Sequence, residues 1–137
     1  MRETTPETSM TTALTKAELA RFYGTSKYYR YTFGLVLTDG AAFLVKNGAG
    51  WLVDVIASAR LDPKVRREPF EAWSLQVDLK TNAAVVTCTD GGKEGREPVT
   101  LFAQDIPYTD FPLESLELYA ISDEGLGAKV VMLTSEY

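Results

Sequence analysis

Trp73-Ser74-Leu75-Gln76-Val77-Asp78-Leu79-Lys80-Thr81-Asn82-Ala83-Ala84-Val85-Val86-Thr87-Cys88-Thr89 decides the fold class of this chain. Trp73, Leu75, Val77 and Leu79 alternate with Ser74, Gln76 and Asp78, the two-residue period of a strand that buries one face. Thr81-Asn82 supplies a turn and Ala84 to Thr89 returns, so the segment predicts a β-hairpin.

Downstream the same period continues. Asp90-Gly91-Gly92-Lys93-Glu94-Gly95 is a turn that leads to a strand from about Pro98 to Ile106. Pro107 and Pro112 bracket a connection, and strands over Ser115–Ser122 and Ala128–Thr134 follow, joined by Asp123-Glu124-Gly125-Leu126-Gly127. Upstream the period is helical. Thr15-Lys16-Ala17-Glu18 has capping-box spacing for a short helix to about Phe22, with Gly24 placed to end it. Tyr29, Tyr31, Phe33 and Leu35 alternate across an extended segment from Tyr28 to Val36. Thr38 or Asp39 can cap a second helix, broken by Gly48 and Gly50, and Trp51, Leu52, Val55, Ile56 and Ala59 form an apolar stripe on a third that ends at Pro63. The expected fold is α+β: N-terminal short helices packed on a C-terminal antiparallel β-meander of four to five strands. Residues 1–14, rich in Thr, Ser and Glu without periodicity, are expected to be a flexible tail, and residues 15–137 one domain.

Composition narrows the chemistry. The 137 residues contain no histidine and a single cysteine, Cys88, which removes the commonest general base and most metal ligands and nucleophiles. Cys88 has no partner for a tetrahedral zinc shell, and neither Asp90 nor Asp123-Glu124 shows a calcium-loop pattern, so no metal, cofactor or catalytic residue is expected. Gly125-Leu126-Gly127 and Gly91-Gly92-Lys93 lack the spacing of nucleotide-binding glycine motifs. The apolar runs are strand-sized, the start lacks a secretory apolar region, and one cysteine forms no internal disulfide, so the address expected is cytoplasmic.

The net charge of −5 is uneven: residues 104–137 hold seven acidic side chains against Lys129 alone. That field disfavours nonspecific attraction to phosphate backbones; it is either solubilising charge or a contact surface for a basic partner. Tyr108-Thr109-Asp110-Phe111-Pro112 is the most distinctive connection, and its aromatics either lock the loop or project to a partner. Candidate protein-binding residues are therefore Tyr108, Asp110, Phe111, Glu114 and Glu117. A competing reading uses Lys27, Tyr28 and Arg30, where aromatics interleave with positive charge, together with Arg66 and Arg67, as a single-stranded nucleic-acid platform.

One further pattern is carried by Thr15-Lys16-Ala17-Glu18-Leu19 with Phe22 and Gly24, Tyr28-Tyr29-Arg30, Thr38-Asp39-Gly40, Trp51-Leu52 with Asp54, Trp73, and Asp90-Gly91. It continues through Ile106-Pro107-Tyr108-Thr109-Asp110-Phe111-Pro112 and Ser135-Glu136-Tyr137. With these residues the chain resembles, over about residues 15–137, an uncharacterised family of small bacterial, plasmid and phage proteins. The resemblance implies a mobile-element context and brings no activity or site residues. The expectation is a non-enzymatic interaction protein that binds a host or defence protein through its acidic final quarter, an anti-CRISPR or antirestriction role being one concrete form.

Overall fold

The computed structural model describes residues 14–137, so all but the last residue of the expected tail lies outside the described residues. That last residue, Leu14, is 4 % exposed and packs in the core. The elements are α1 (Lys16–Leu19), β1 (Tyr29–Arg30), β2 (Leu35–Leu37), α2 (Asp39–Leu44), α3 (Gly50–Ala59), α4 (Pro63–Arg66), β3 (Phe70–Val77), β4 (Ala84–Thr89), β5 (Thr100–Ile106), β6 (Ser115–Asp123) and β7 (Ala128–Leu133). A short 3₁₀ turn, Thr134–Glu136, follows.

The fold is α+β, with one mixed sheet of seven strands in the order β1-β2-β7-β6-β3-β4-β5. Two features correct the expected meander. β6 pairs with β3 rather than with β5, so β3 to β6 form a Greek key whose fourth strand returns beside the first. β2 runs parallel to β7, with Leu35, Val36 and Leu37 opposite Lys129, Val130 and Val131. All three β2 residues are buried, the continuous apolar reading typical of a parallel strand. The helices consequently are not an N-terminal layer placed before the sheet, because β1 and β2 precede α2 and α3 and belong to the sheet.

The extended segment read over Tyr28–Val36 is two strands folded back on each other. Phe33 and Gly34 both adopt left-handed backbone, φ 56° and 73°, and reverse the chain so that Tyr29 faces Leu37. The Phe33 carbonyl accepts a hydrogen bond from the Arg60 guanidinium at the end of α3, which holds the tight turn against that helix.

The hairpin that opens the sheet buries Trp73, Leu75 and Val77 with Ala84, Val86 and Cys88 on one face. Leu116, Leu118, Ala120, Val131 and Leu133 extend that face, and α3 covers it with Leu52, Val53, Ile56, Ala57 and Ala59. The α3 stripe is rotated from the one expected: Val53 and Ala57 are buried, whereas Trp51 and Val55 are only half-buried. Between α2 and α3 lies a wide turn, Val45–Ala49, kinked at Asn47 and at Gly48, where φ is 97°. By composition and length, Asp39–Ala59 is apolar enough to cross a membrane; here it lies against the sheet with Ala41, Leu44, Val53 and Ile56 buried.

Candidate acidic interaction surface

The loop that returns the chain from β5 to β6 crosses the end of the β3–β4 hairpin. Thr109 anchors it: its N–H donates to the Asn82 carbonyl at 2.8 Å, and its Oγ1 accepts from the Phe111 N–H at 3.1 Å. At the other end of the loop the Val77 N–H donates to the Glu114 carbonyl at 2.8 Å. Thr109 and Phe111 are buried, whereas Tyr108 and Asp110 are exposed, so the extended loop turns alternate residues inward and outward.

This arrangement sorts the five sequence candidates. Phe111, 2 % exposed, belongs to the core and locks the loop, which corrects its reading as a contact residue. Tyr108 is 66 % exposed, and Asp110, Glu114 and Glu117 are also exposed. Asp78, after β3, and Asp105, in β5, stand exposed at the same end of the sheet. Among the described residues none of these five carboxylates forms an ion pair. Glu117 accepts a 3.2 Å hydrogen bond from Ser74 on the uncovered face of the sheet. Beside the loop, Trp51, Ile106, Tyr108, Thr109 and Asp110 line an open depression of about 420 Å³.

The residues of the nucleic-acid reading are exposed too, Tyr28 at 53 %. They sit on two elements, Lys27, Tyr28 and Arg30 at β1 and Arg66 and Arg67 at the end of α4, and among the described residues no hydrogen bond or ion pair joins one of these side chains directly to another. One Arg66 nitrogen donates to the Arg60 carbonyl at 3.2 Å. The uncovered sheet face positions of β3 to β6 carry Asp105, Glu117 and Asp123 and no Lys or Arg, so a stacking platform there lacks cations for phosphate.

The acidic and aromatic residues of the family-like pattern are mostly spent internally. Thr38 caps α2, its Oγ1 accepting from the Ala41 N–H at 3.2 Å and donating to Glu136 at 2.6 Å. The Glu136 carboxylate also accepts from the Gly40 and Leu133 N–H groups, both at 2.9 Å, so a negative group sits at the N-terminus of α2. Asp39 accepts from the Ser26 N–H and hydroxyl and from the Tyr29 hydroxyl, and the Ser26 amide bond leads in holding its carboxyl below the ordinary range. Tyr31 donates to Asp54 at 2.6 Å, which pushes its phenol up to about 12. Asp90 is held well below the usual carboxylate range by Arg96 at 2.8 Å and the Val99 and Gly92 amides.

A buried ion pair escaped the sequence reading. Lys129, 2 % exposed, meets Glu71, 0 % exposed, and also donates to the carbonyls of Val65, Arg66 and Glu68. The second Glu71 oxygen accepts from the Trp73 indole N–H at 2.7 Å. Burial pushes the Glu71 carboxyl up, and Lys129 and the indole pull it back. The signal was present: Glu71 shares the core-facing parity of Trp73, Leu75 and Val77, and Lys129 that of Val131 and Leu133. Cys88 is fully buried and burial raises its thiol pKa, which leaves it unreactive. Among the described residues no three Asp, Glu or Cys side chains converge so as to hold a metal.

Residues 13–137 match the model of a family of unknown function, DUF6876, and the chain belongs to that family. No curated protein and no solved structure matches it.

Proposed function

We propose that this protein is a non-enzymatic interaction module whose acidic end, at the β5–β6 return, engages a basic surface on a protein partner. The observation that carries this reading is the set of five exposed carboxylates, Asp78, Asp105, Asp110, Glu114 and Glu117, without ion-pair partners among the described residues and beside exposed Tyr108. Charge left uncompensated on a rigid loop steers a partner of opposite sign and suppresses wrong ones. The buried Cys88 and the fully bonded Glu71–Lys129 pair support a non-catalytic role, because neither group reaches solvent. The resemblance to small phage and plasmid proteins motivates the finer reading, a mobile-element protein that binds a host or defence protein in the cytoplasm.

The test is capture from nuclease-treated host lysate with tagged protein, with mass spectrometry as readout. We expect a stoichiometric protein partner that the wild type retains, that Asp110→Lys/Glu114→Lys/Glu117→Lys loses, and that Arg30→Glu/Arg66→Glu/Arg67→Glu keeps, all three proteins having the same far-UV circular dichroism. Capture that survives the first variant overturns the surface. Capture that depends on nucleic acid and on the arginines moves the function to Lys27, Tyr28, Arg30, Arg66 and Arg67.

A further inference from the structure

The depression between α3 and the β5–β6 return combines an unspent carboxylate with two aromatic walls. Asp110 is its only charged wall, and among the described residues that carboxylate accepts no hydrogen bond and joins no ion pair. The Trp51 indole N–H and the Tyr108 hydroxyl likewise have no partner among the described residues. Thr109, by contrast, is tied down, its N–H to the Asn82 carbonyl and its Oγ1 by the Phe111 N–H. The hollow lined by Phe22, Tyr29, Asp39 and Lys46 is also aromatic and acidic, but its Asp39 is spent on Ser26 and Tyr29, and Lys46 opposes a cation. In the hollow between the β3–β4 turn and β5, the Asp78 carboxylate already accepts from the Lys80 N–H at 2.9 Å, and although Asp105 is unspent no aromatic side chain lines it.

We propose that the depression formed by Trp51, Ile106, Tyr108 and Asp110 is the receptor for an arginine side chain of the protein partner. This rests on the interaction reading above and names what the acidic end grips. A guanidinium is planar, stacks on indole and phenol faces, and pairs with a carboxylate through parallel N–H donors, so one side chain meets the Asp110 carboxylate and the Trp51 and Tyr108 rings while the indole N–H, itself a donor, stays with water. The volume of about 420 Å³ lies near the lower end of small-ligand pockets, about 300–1,000 Å³, and suits one long side chain with water. The Asp110 carboxylate gives the site a negative potential, which rejects an anion. The walls are held before binding: Phe111 is buried, Thr109 is tied to Asn82, and Trp51 stands in the first turn of α3, so little ordering is required.

The test titrates the full-length ¹⁵N-labelled protein at low salt with a blocked hexapeptide containing three arginines, and with its lysine and citrulline counterparts. We expect saturable shifts of the Trp51 indole N–H and the Asp110 backbone amide, weaker binding of the lysine peptide, and none of the neutral citrulline peptide. Asp110→Asn should weaken the arginine peptide about tenfold or more, as loss of a charged hydrogen bond does. Tyr108→Ala, at an exposed position, should weaken it several-fold with the spectrum otherwise unchanged. Shifts centred on Glu117 or Asp78 that leave the Trp51 indole unmoved overturn the receptor while the acidic interaction surface stands. Absence of any saturable shift overturns the receptor as well, and lysate capture decides the broader reading independently. Equal binding of the citrulline peptide overturns the cationic specificity on which the proposal is built.

Discussion

Replacing Lys129 by Met tests the interior of the molecule most severely. The variant removes the ammonium that meets Glu71 and bonds three carbonyls, those of Val65, Arg66 and Glu68, and leaves a carboxylate of 0 % exposure with only the Trp73 indole as donor. Breaking a buried pair by removing one partner costs about 3–5 kcal/mol, much of it the uncompensated charge that remains. For a domain of this size that is about 12–20 °C in Tm, at about 4 °C per kcal/mol. The companion variant Glu71→Gln/Lys129→Met keeps an acceptor for the Trp73 N–H and removes the stranded charge, so it should recover a large share of the loss. The pH dependence has a definite sign. With Lys129 gone, burial is opposed only by the Trp73 indole and the more distant Arg60, and the folded pKa of Glu71 rises further above the unfolded value. A group raised in the folded state contributes its stability below the unfolded pKa, about 4.3, and loses it as pH rises toward the folded pKa. The single variant should therefore be closer to wild type at pH 5 than at pH 8, with the fold intact at both. Urea melts followed by circular dichroism and tryptophan fluorescence measure all three proteins. A single variant within about 1 kcal/mol of wild type at pH 8, or a double variant no better than the single, would refute the buried pair.

Asp90→Asn should lower stability at neutral pH by releasing Arg96 and weakening the bonds from the Val99 and Gly92 amides; because the folded pKa is depressed, the gap from wild type should close as pH falls below about 4 in acid melts. Glu136→Gln should cost about 1 kcal/mol in denaturant melts through loss of negative charge at the N-terminus of α2, and unchanged stability would refute the cap. Phe111→Ala should destabilise by about 3–5 kcal/mol, as expected for a buried aromatic, and a surface-like change of a few tenths would return Phe111 to the contact residues.

Legibility in the sequence followed the length of the periodic signal. β3 to β7 lie within a few residues of where alternation puts them; β3, β4 and β6 bury one face over six to nine residues, and β5 and β7 are bounded by the turn residues on either side. The pairing order was not legible, since alternation marks faces and says nothing about neighbours; the Greek-key return depends on the length and prolines of the Pro107–Glu114 loop. Tyr29, Tyr31, Phe33 and Leu35 alternate as one extended segment would, and the turn that divides β1 from β2 is hidden in that pattern because Phe33, a bulky residue, rarely adopts left-handed backbone. β2 itself is three residues long and buried on both faces, so it has no period to detect.

The candidate site shows how a small shift in helix phase decides function-bearing exposure. Trp51, Leu52, Val55, Ile56 and Ala59 make an apolar stripe as good as Leu52, Val53, Ile56, Ala57 and Ala59, and helical periodicity cannot rank two faces one residue apart. The sequence pattern places Trp51 in the core; the structure places Val53 there at 0 % exposure and leaves Trp51 half-buried beside Tyr108 and Asp110. The chain breaks at Asn47 and Gly48, where φ is −115° and 97°, so α3 is a new helix whose phase is set by its own packing on the sheet and not inherited from α2. That phase, and not the composition of the stripe, leaves Trp51 beside Tyr108 and Asp110.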